Sequence, residues 1–329
     1  MKAYHVVRSS TDLGGLRQVD LDMPRPQPQQ VLVRLRAASL NFRDLAIVNG
    51  KYLRGPVDRD TVPLSDGAGE VESVGAAVSG FAPGDRVVAT FMQGHPPQAL
   101  GAPLDGTLRQ YALFEPDGLL RIPDHLSIEH AATLPCAGVT AWNALTSGKP
   151  LRPGETVLTL GTGGVSIFAL QLAKIAGARV IITSSSDAKL ARARELGADE
   201  GINYVTTPDW ADEVLRLTGG RGADHVVETA AFGTLPQSYQ AVAPAGEIAL
   251  IGVLTRASGD LSPHPLMFKG STLRGLFVGT RSHFEELLRA IDVNRMTPVV
   301  DRVFGFDEAA AAYEHLKARR HFGKVVIRV

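Results

Sequence analysis

The sequence has few of the features that mark secreted, membrane-bound or nucleic-acid-binding proteins. Its 329 residues include one cysteine, which excludes an intrachain disulfide and favours a cytoplasmic protein. No uninterrupted apolar run approaches the roughly 20 residues needed to span a bilayer, and residues 1–8 lack the apolar stretch of a signal peptide. Basic and acidic side chains balance at 34 each, so we expect no nucleic acid and no membrane among its partners.

A glycine-rich turn between a strand and a helix is the most informative feature that is present. The β-branched run 156–160 is followed by apolar residues at helical spacing over 167–176. The turn between them comprises Gly161, Thr162, Gly163, Gly164 and Val165. Glycines let a backbone approach a pyrophosphate, and free N–H groups at the helix N-terminus bind it. Because a second strand (179–183) and a second helix (187–196) follow, the pattern predicts a dinucleotide-binding unit.

The residues after the second predicted strand indicate which dinucleotide is bound. An NAD site has a carboxylate here for the ribose hydroxyls, whereas this sequence has Ser184 and Ser185, with Lys189 one turn further on. Hydroxyl and ammonium groups suit a 2′-phosphate, and we therefore expect NADP(H). The nearest acid, Asp187, is interpreted as an early-helix residue favoured by the helix dipole. The alternative is that the serines cap a helix and the lysine is solvated.

The predicted elements divide the chain into two regions. Short strands punctuated by Gly and Pro, at 31–37, 67–75 and 84–90, predict a compact antiparallel barrel. After about residue 130, strands alternate with helices, which predicts a parallel sheet covered on both faces. Later strands are expected at 224–228, 247–252, 271–277 and 323–329, and helices at 283–293 and 307–319.

The segment 91–109, rich in glycine and proline, separates two of the early strands. It is predicted to lack secondary structure and to form a pocket wall or lid. Phe91, Met92 and Leu100 would make that wall apolar. A disordered insertion is the alternative.

Motifs along nearly the whole chain resemble those of the medium-chain dehydrogenase/reductase family, in its zinc-free quinone oxidoreductase branch. The matching segments occur in the family's order at 41–44, 67–71, 80–88, 131–142, 161–166, 195–199 and 323–326.

The resemblance implies an α/β protein of two domains. A GroES-like, β-rich catalytic domain would span residues 1–137 and be completed by residues 278–329. A doubly wound Rossmann domain over residues 138–277 would bind NADP(H), with the active site in the cleft between the domains. Family members are homodimers or homotetramers, and we expect a homodimer joined edge to edge through the strand around Leu273.

The resemblance also bears on zinc, because related alcohol dehydrogenases bind a catalytic zinc through cysteine, histidine and cysteine. Asn41 stands where the first cysteine would be, and Ser65 and Asp66 replace a His-Glu pair. Cys136 falls at the position of the third ligand. Zinc needs about three protein ligands, and Asp66 with Cys136 would supply two at most. We therefore expect no metal.

Without a metal, we expect hydride transfer to a quinone or an α,β-unsaturated carbonyl, because such acceptors delocalise the developing charge. Asn41 is the first candidate to hydrogen-bond the substrate, with a helix cap as the alternative role. Tyr52 matches a tyrosine that lines the cleft in quinone reductases, with loop packing as the alternative. The alternative functions are a zinc-independent alcohol or aldehyde dehydrogenase and an NADPH-binding protein without useful turnover.

Further residues are implied as cofactor contacts by the resemblance or by their position at the end of a sheet strand. They are Thr140, Tyr204, Ile251, Gly252, Val253, Leu276, Phe277, Val278 and Lys324. For Thr140 the alternative is a hydrogen bond within its own helix, and for the runs 251–253 and 276–278 it is simple burial.

Overall fold

The computed structural model describes residues 1–52, 55–252 and 262–329. Two compact units form the chain, the first from residues 1–137 and 280–329 and the second from residues 138–279. No helix within the described residues is long and apolar enough to cross a membrane.

The chain begins in the first unit with many strands and two short helices. These are β1 (Lys2–Val6), β2 (Leu16–Asp20), β3 (Val31–Leu40), α1 (Phe42–Val48), β4 (Asp66–Val74), β5 (Arg86–Ala89), β6 (Met92–Gln93), β7 (Gln98–Ala99), β8 (Tyr111–Phe114), β9 (Leu119–Arg121) and α2 (Ile128–Ala131). β3 is central to this unit because it pairs with both β4 and β8 and most of its side chains are buried. Val31, Val33 and Leu35 pack in one apolar cluster, and Ala38 and Leu40 pack in another.

The second unit alternates helices with strands. These are α3 (Val139–Thr146), β10 (Thr156–Thr159), α4 (Gly164–Ile175), β11 (Arg179–Ser184), α5 (Asp187–Glu195), β12 (Glu200–Asn203), α6 (Trp210–Leu217), β13 (Ala223–Glu228), α7 (Leu235–Ala241), β14 (Val242–Leu250), α8 (His264–Lys269) and β15 (Thr272–Gly275). The strands form a six-stranded sheet in the order β12-β11-β10-β13-β14-β15, and each neighbouring pair is parallel. The predicted parallel sheet is confirmed. Its strand order reverses between β10 and β13, and Leu273 lies on the edge strand β15.

The last part of the chain returns to the first unit. Its elements are α9 (Arg281–Asn294), β16 (Val300–Phe304), α10 (Ala309–Lys317) and β17 (Lys324–Arg328). β17 pairs antiparallel with β3, so the final strand enters a seven-stranded sheet in the order β16-β17-β3-β4-β5-β9, with β8 also paired to β3. This pairing places Lys324 beside the end of β3, which is where α1 begins.

The prediction that segment 91–109 lacks secondary structure is wrong. β6 pairs antiparallel with β7, and a further bridge joins Leu100 to Leu104. Each of these strands spans two residues, which is too short to produce a periodic pattern in the sequence. Phe91 and Leu100 are buried and Met92 is half-buried. The role of these residues as an apolar pocket wall stays a prediction.

Candidate active site

The glycine turn (residues 161–165) joins β10 to α4 at the carboxyl edge of the parallel sheet. Gly161 has a φ of +77°, which residues with side chains rarely adopt. A Cβ on Gly161 or Gly163 would meet nothing within 4 Å, so both glycines face open space. Gly163 caps α4 without a side-chain hydrogen bond, which leaves N–H groups of the first turn available to an anion. The turn therefore fits a pyrophosphate.

The residues predicted to select the 2′-phosphate lie at the carboxyl ends of β11 and β12. Ser184 ends β11 and is buried, whereas Ser185 is exposed. Ser186 caps α5 by accepting a hydrogen bond from the backbone N–H of Lys189 at 3.4 Å, so a serine cap is present beside the predicted site. Tyr204 follows β12 directly and is 42% exposed. Because β10 and β11 are neighbours, these residues share one sheet edge with the glycine turn.

The carboxyl ends of β14 and β15 hold further predicted contacts. Ile251 and Gly252 donate their N–H groups to the carbonyl oxygen of Glu228, at 2.9 and 3.2 Å. A Cβ on Gly252 would lie 1.5 Å from the carbonyl oxygen of Thr229, so this close backbone approach requires glycine. Leu276 donates its backbone N–H to the carbonyl oxygen of Leu250, the last residue of β14, at 3.1 Å.

The other predicted nicotinamide contacts differ in exposure. Phe277 is 58% exposed, whereas Val278 is buried and accepts a hydrogen bond from Asn143 Nδ2 at 2.8 Å. Thr140 is buried within α3. Val253 lies outside the described residues. The role of these residues as cofactor contacts stays a prediction.

Asn41 lies immediately before α1 and is held by two charged residues of the first unit. Its backbone N–H donates to Asp44 Oδ2 at 2.7 Å, which is half of a capping box. Lys324 Nζ donates to Asn41 Oδ1 and to the carbonyl oxygen of Leu40, both at 2.6 Å. Because an ammonium group has no acceptor, the bond fixes the Asn41 amide with Oδ1 toward Lys324 and Nδ2 away from it.

Asp44, Asp66 and Lys324 form a buried ion cluster, each at most 3% exposed. Lys324 Nζ lies 3.6 Å from Asp66 Oδ2, and Ser65 Oγ donates to Asp66 Oδ1 at 2.9 Å. The Asn41 side chain faces the carboxyl group of Asp66 and lowers the pKa of that group. Neither Asn41 Nδ2 nor Asp66 Oδ2 has a hydrogen-bond partner at normal distance. Lys324, predicted as a cofactor contact, is thus engaged within the first unit.

Burial dominates the pKa values around this cluster. Burial raises the pKa of Asp44 to about 6, whereas the positive charge of Arg43 acts to lower that pKa. Burial also raises the pKa of Asp66 against the attraction of Lys324. The pKa of the Cys136 thiol is raised by burial and by the nearby Asp66. Among residues 1–52, 55–252 and 262–329, no three His, Cys, Asp or Glu side chains converge as a metal site requires.

Arg43, which the sequence analysis missed, contacts the predicted catalytic residue Tyr52. Arg43 Nε donates to Tyr52 Oη at 3.4 Å, and the guanidinium carbon lies 4.9 Å from the ring centroids of both Tyr52 and Phe91. Its terminal nitrogens donate to the carbonyl oxygens of Leu100, at 2.8 Å, and Ala102, at 3.1 Å. An arginine in the first turn of a largely apolar helix was the signal that could have identified it.

The sequence matches two family models. Residues 27–124 match the family described as alcohol dehydrogenase GroES-like domain, and residues 164–292 match the family described as zinc-binding dehydrogenase. A zinc-type alcohol dehydrogenase-like protein of Schizosaccharomyces pombe is 44% identical over 332 residues, which cover 95% of this chain and 95% of that protein. A quinone oxidoreductase of Sus scrofa is 29% identical over 318 residues, which cover 94% and 92%.

Solved structures share the fold over the whole chain. An NAD-dependent alcohol dehydrogenase is 36% identical with a TM-score of 0.94, and both chains are covered completely. A mycobacterial protein solved with NADPH is 28% identical with a TM-score of 0.86, again over 100% of both chains. The predicted α/β fold, with a GroES-like domain and a Rossmann-like parallel sheet, is therefore confirmed. The chain belongs to the medium-chain dehydrogenase/reductase family of oxidoreductases.

Proposed function

We propose that this protein is an NADP(H)-dependent oxidoreductase that transfers hydride to a quinone or an α,β-unsaturated carbonyl without a metal ion. The observation that carries the proposal is the contact of Lys324 with Asn41 and Asp66. Asn41 stands at the sequence position of the first cysteine ligand in related dehydrogenases, and Asp66 directly follows Ser65, which stands at the position of their histidine ligand. A buried ammonium group beside them supplies positive charge where a metal ion would otherwise do so.

The donor set does not suit zinc, although one matching family is described as zinc-binding. Asn41 and Ser65 are neutral, and the carboxylate of Asp66 already faces Lys324. Cys136 is the one cysteine of the sequence, so it supplies one sulfur ligand at most. Zinc requires about three deprotonated protein ligands, and these residues supply fewer. The proposed reaction therefore has no metal-dependent step.

The proposed cofactor is NADP(H), which supplies the hydride when it is bound. The glycine turn would hold its pyrophosphate, and Thr140 with segments 251–252 and 276–278 would contact the nicotinamide. Similar solved proteins include an NAD-dependent enzyme and an NADPH complex, so the fold alone does not choose between the two dinucleotides.

The residues after β11 support the phosphorylated cofactor. Ser184, Ser185 and Lys189 offer hydroxyl and ammonium donors to a 2′-phosphate. The nearby carboxylate of Asp187 already accepts a hydrogen bond from Asn203 Nδ2 at 2.8 Å. Calorimetric titration should show NADPH binding roughly tenfold more tightly than NADH, because a charge-assisted hydrogen bond contributes about 1.5–3 kcal/mol. Equal dissociation constants would contradict this assignment.

Asn41 and Tyr52 are proposed to stabilise the acceptor oxygen. Hydride addition to the β-carbon of an enone leaves negative charge on the carbonyl oxygen. Lys324 occupies Asn41 Oδ1, so the amide can offer only its Nδ2–H groups to that oxygen, and Tyr52 can offer its phenolic proton. Both hydrogen bonds would strengthen as the charge develops, which lowers the barrier to hydride transfer.

Turnover of Asn41→Ala and Tyr52→Phe tests these roles. One hydrogen-bond donor to a developing oxyanion contributes roughly 3 kcal/mol, so each substitution should lower kcat on the order of a hundredfold. NADPH binding should change much less than kcat, because the lost bond forms with the acceptor. Wild-type turnover in both variants would show that the two residues are structural.

The main alternative is a zinc-independent alcohol or aldehyde dehydrogenase. Two similar proteins are named alcohol dehydrogenases, which favours an alcohol as substrate, although the name of one of them describes it as zinc-type. Anaerobic mixing of NADPH with quinones, enones and aldehydes, and of NADP⁺ with simple alcohols, separates the two functions. The proposal expects quinones or enones to react fastest. Faster oxidation of alcohols would favour the alternative, and tight NADPH binding without any turnover would indicate a protein that does not act as an enzyme.

A further inference from the structure

Arg43 is a buried cation whose contacts are divided between Tyr52 and segment 91–109. It is 8% exposed, and its guanidinium group makes three hydrogen bonds, to Tyr52 Oη and to the carbonyl oxygens of Leu100 and Ala102. The Tyr52 and Phe91 rings both lie within cation–π distance of its guanidinium carbon. A single side chain therefore fixes Tyr52 relative to an apolar segment.

The hydrogen bond from Arg43 to Tyr52 Oη determines the direction of the phenolic proton. A guanidinium group has five N–H donors and no acceptor, so Tyr52 Oη can only accept from it. The phenolic proton of Tyr52 therefore points away from the guanidinium group. Contact between Arg43 and the Tyr52 ring also restricts rotation of the ring, so the position of that proton is defined before any substrate binds.

The carbonyl groups of Leu100 and Ala102 give Arg43 a second function. Their bonds to the two terminal nitrogens hold the backbone on both sides of residue 101 against the guanidinium group. Lysine could not reproduce this geometry, because its single ammonium group lacks the planar fork and cannot contact both rings and both carbonyls.

We propose that Arg43 is the positioning residue that orients the Tyr52 phenol as a hydrogen-bond donor and sets its distance from segment 91–109. The catalytic consequence rests on the proposed role of Tyr52 in the reaction. The structural consequence, a fixed Tyr52 side chain, does not depend on that role. The two consequences can therefore be tested separately.

A double-mutant cycle tests the catalytic consequence. Arg43→Lys keeps the charge beside Asp44 and should lower kcat about tenfold, with little change in the KM for NADPH, because misplacement of a reacting group slows the chemical step. In the Arg43→Lys protein, Tyr52→Phe should lower kcat much less than it does in the wild-type protein. The effects of two residues that act as a unit are not additive. If the lysine protein does not fold cooperatively, Arg43→Gln combined with Asp44→Asn provides the second variant, because it removes both charges of the buried pair.

Arg59 provides a matched control. It also bonds segment 91–109, through the carbonyl oxygen of Pro103 at 2.9 Å and Asp105 Oδ1 at 3.0 Å. Arg59→Lys should leave kcat within about twofold of wild type, and the full effect of Tyr52→Phe should persist in that background. An equal loss of activity in Arg59→Lys would mean that general disturbance of the segment, and not contact with Tyr52, lowers the rate.

Fluorine NMR reports on the structural consequence without reference to activity. With 3-fluorotyrosine in place of the 6 tyrosines, the resonance that disappears in Tyr52→Phe identifies this side chain. That resonance should shift or broaden in Arg43→Lys and remain unchanged in Arg59→Lys. An unchanged resonance in Arg43→Lys overturns the inference. A shifted resonance in Arg43→Lys supports positioning of Tyr52 by Arg43. If Tyr52→Phe at the same time keeps wild-type turnover, the proposed catalytic role of Tyr52 is overturned and its positioning by Arg43 is not.

Discussion

Single residues determine the charge balance of the first unit. Lys324 lies 3.6 Å from Asp66, and Arg43 Nη1 lies 3.8 Å from Asp44 Oδ1. Each buried carboxyl group therefore has one buried cation nearby. Removal of either cation would leave an uncompensated buried charge. The resulting loss of folding free energy exceeds what the ion pair itself contributes to stability. The positive charge of this region thus supports the fold as well as the proposed chemistry.

Asp44 should make stability fall as pH rises. Its pKa is raised to about 6 in the folded protein, so between pH 4 and pH 7 the folded state binds more protons than the unfolded state. Ionisation of Asp44 then destabilises the protein, by about 3 kcal/mol at most. Asp44→Asn removes this effect. Chemical denaturation should therefore show the stability of the variant, relative to wild type, increasing from pH 4 to pH 7.

Asp85 provides a control of the opposite sign. The hydrogen bond from Arg121 lowers the pKa of Asp85, so its ionised form stabilises the folded state. Asp85→Asn should therefore lose stability relative to wild type as pH rises toward about 4, and the difference should stay nearly constant from pH 4 to pH 7. A stability difference between wild type and Asp44→Asn that does not change with pH would contradict the raised pKa.

At the scale of elements, glycines serve two different purposes at the carboxyl edge of the parallel sheet. Gly163 faces open space, where a ligand can lie, whereas Gly252 lies against the backbone of Thr229. We therefore expect the first glycine to serve cofactor binding and the second to serve folding. Sequence alone does not distinguish them, because both follow a β-strand.

A pair of alanine substitutions separates these purposes. Gly163 has a φ of −79°, which alanine adopts easily, so Gly163→Ala should change stability by less than about 0.5 kcal/mol. Its methyl group should nevertheless weaken NADPH binding roughly tenfold or more, since it occupies the space for a pyrophosphate. Gly252→Ala should lose about 1–3 kcal/mol of stability through overpacking. Denaturation and calorimetric titration measure both effects. Unchanged NADPH binding by Gly163→Ala would place the pyrophosphate elsewhere.

The elements themselves could largely be predicted from hydrophobic periodicity. The strand before the glycine turn, the helix after it and the edge strand β15 all lie where the pattern indicated. β6 and β7 could not be predicted, because two-residue strands depend on pairing and not on periodicity. The bond between Lys324 and Asn41 joins residues 283 positions apart, and only the tertiary pairing of β17 with β3 brings them together. The contacts of Arg43 were missed because its partners Leu100 and Ala102 lie 57 and 59 positions further along the chain.

At the scale of the whole molecule, β15 leaves one edge of the parallel sheet without a neighbouring strand in the part of the chain that the structure describes. An unpaired edge can pair with another copy of the same chain. We expect a homodimer joined through this edge, as the resemblance to the family implies. Leu273, on β15, is 36% exposed and would lie near such an interface.

Light scattering at several concentrations tests this assembly. Wild-type protein should have the mass of two chains, and Leu273→Lys should shift it toward one chain, because a charge on an edge strand opposes pairing. Val293 is 81% exposed on α9, so Val293→Lys serves as a control with the same chemical change elsewhere. A monomeric wild type, or an equal effect of both substitutions, would contradict assembly through β15.

The most direct test of the account follows the transferred hydrogen in protein depleted of metal. The protein is treated with a chelator, shown by elemental analysis to hold well under one zinc per chain, and mixed anaerobically with an enone and [4,4-²H₂]NADPH. Hydride transfer without metal predicts one deuterium on the β-carbon of the product, detected by mass spectrometry and NMR, at a rate equal to that of untreated protein. Absence of deuterium from that carbon, or loss of the reaction on metal removal with recovery on addition of zinc, would contradict the account.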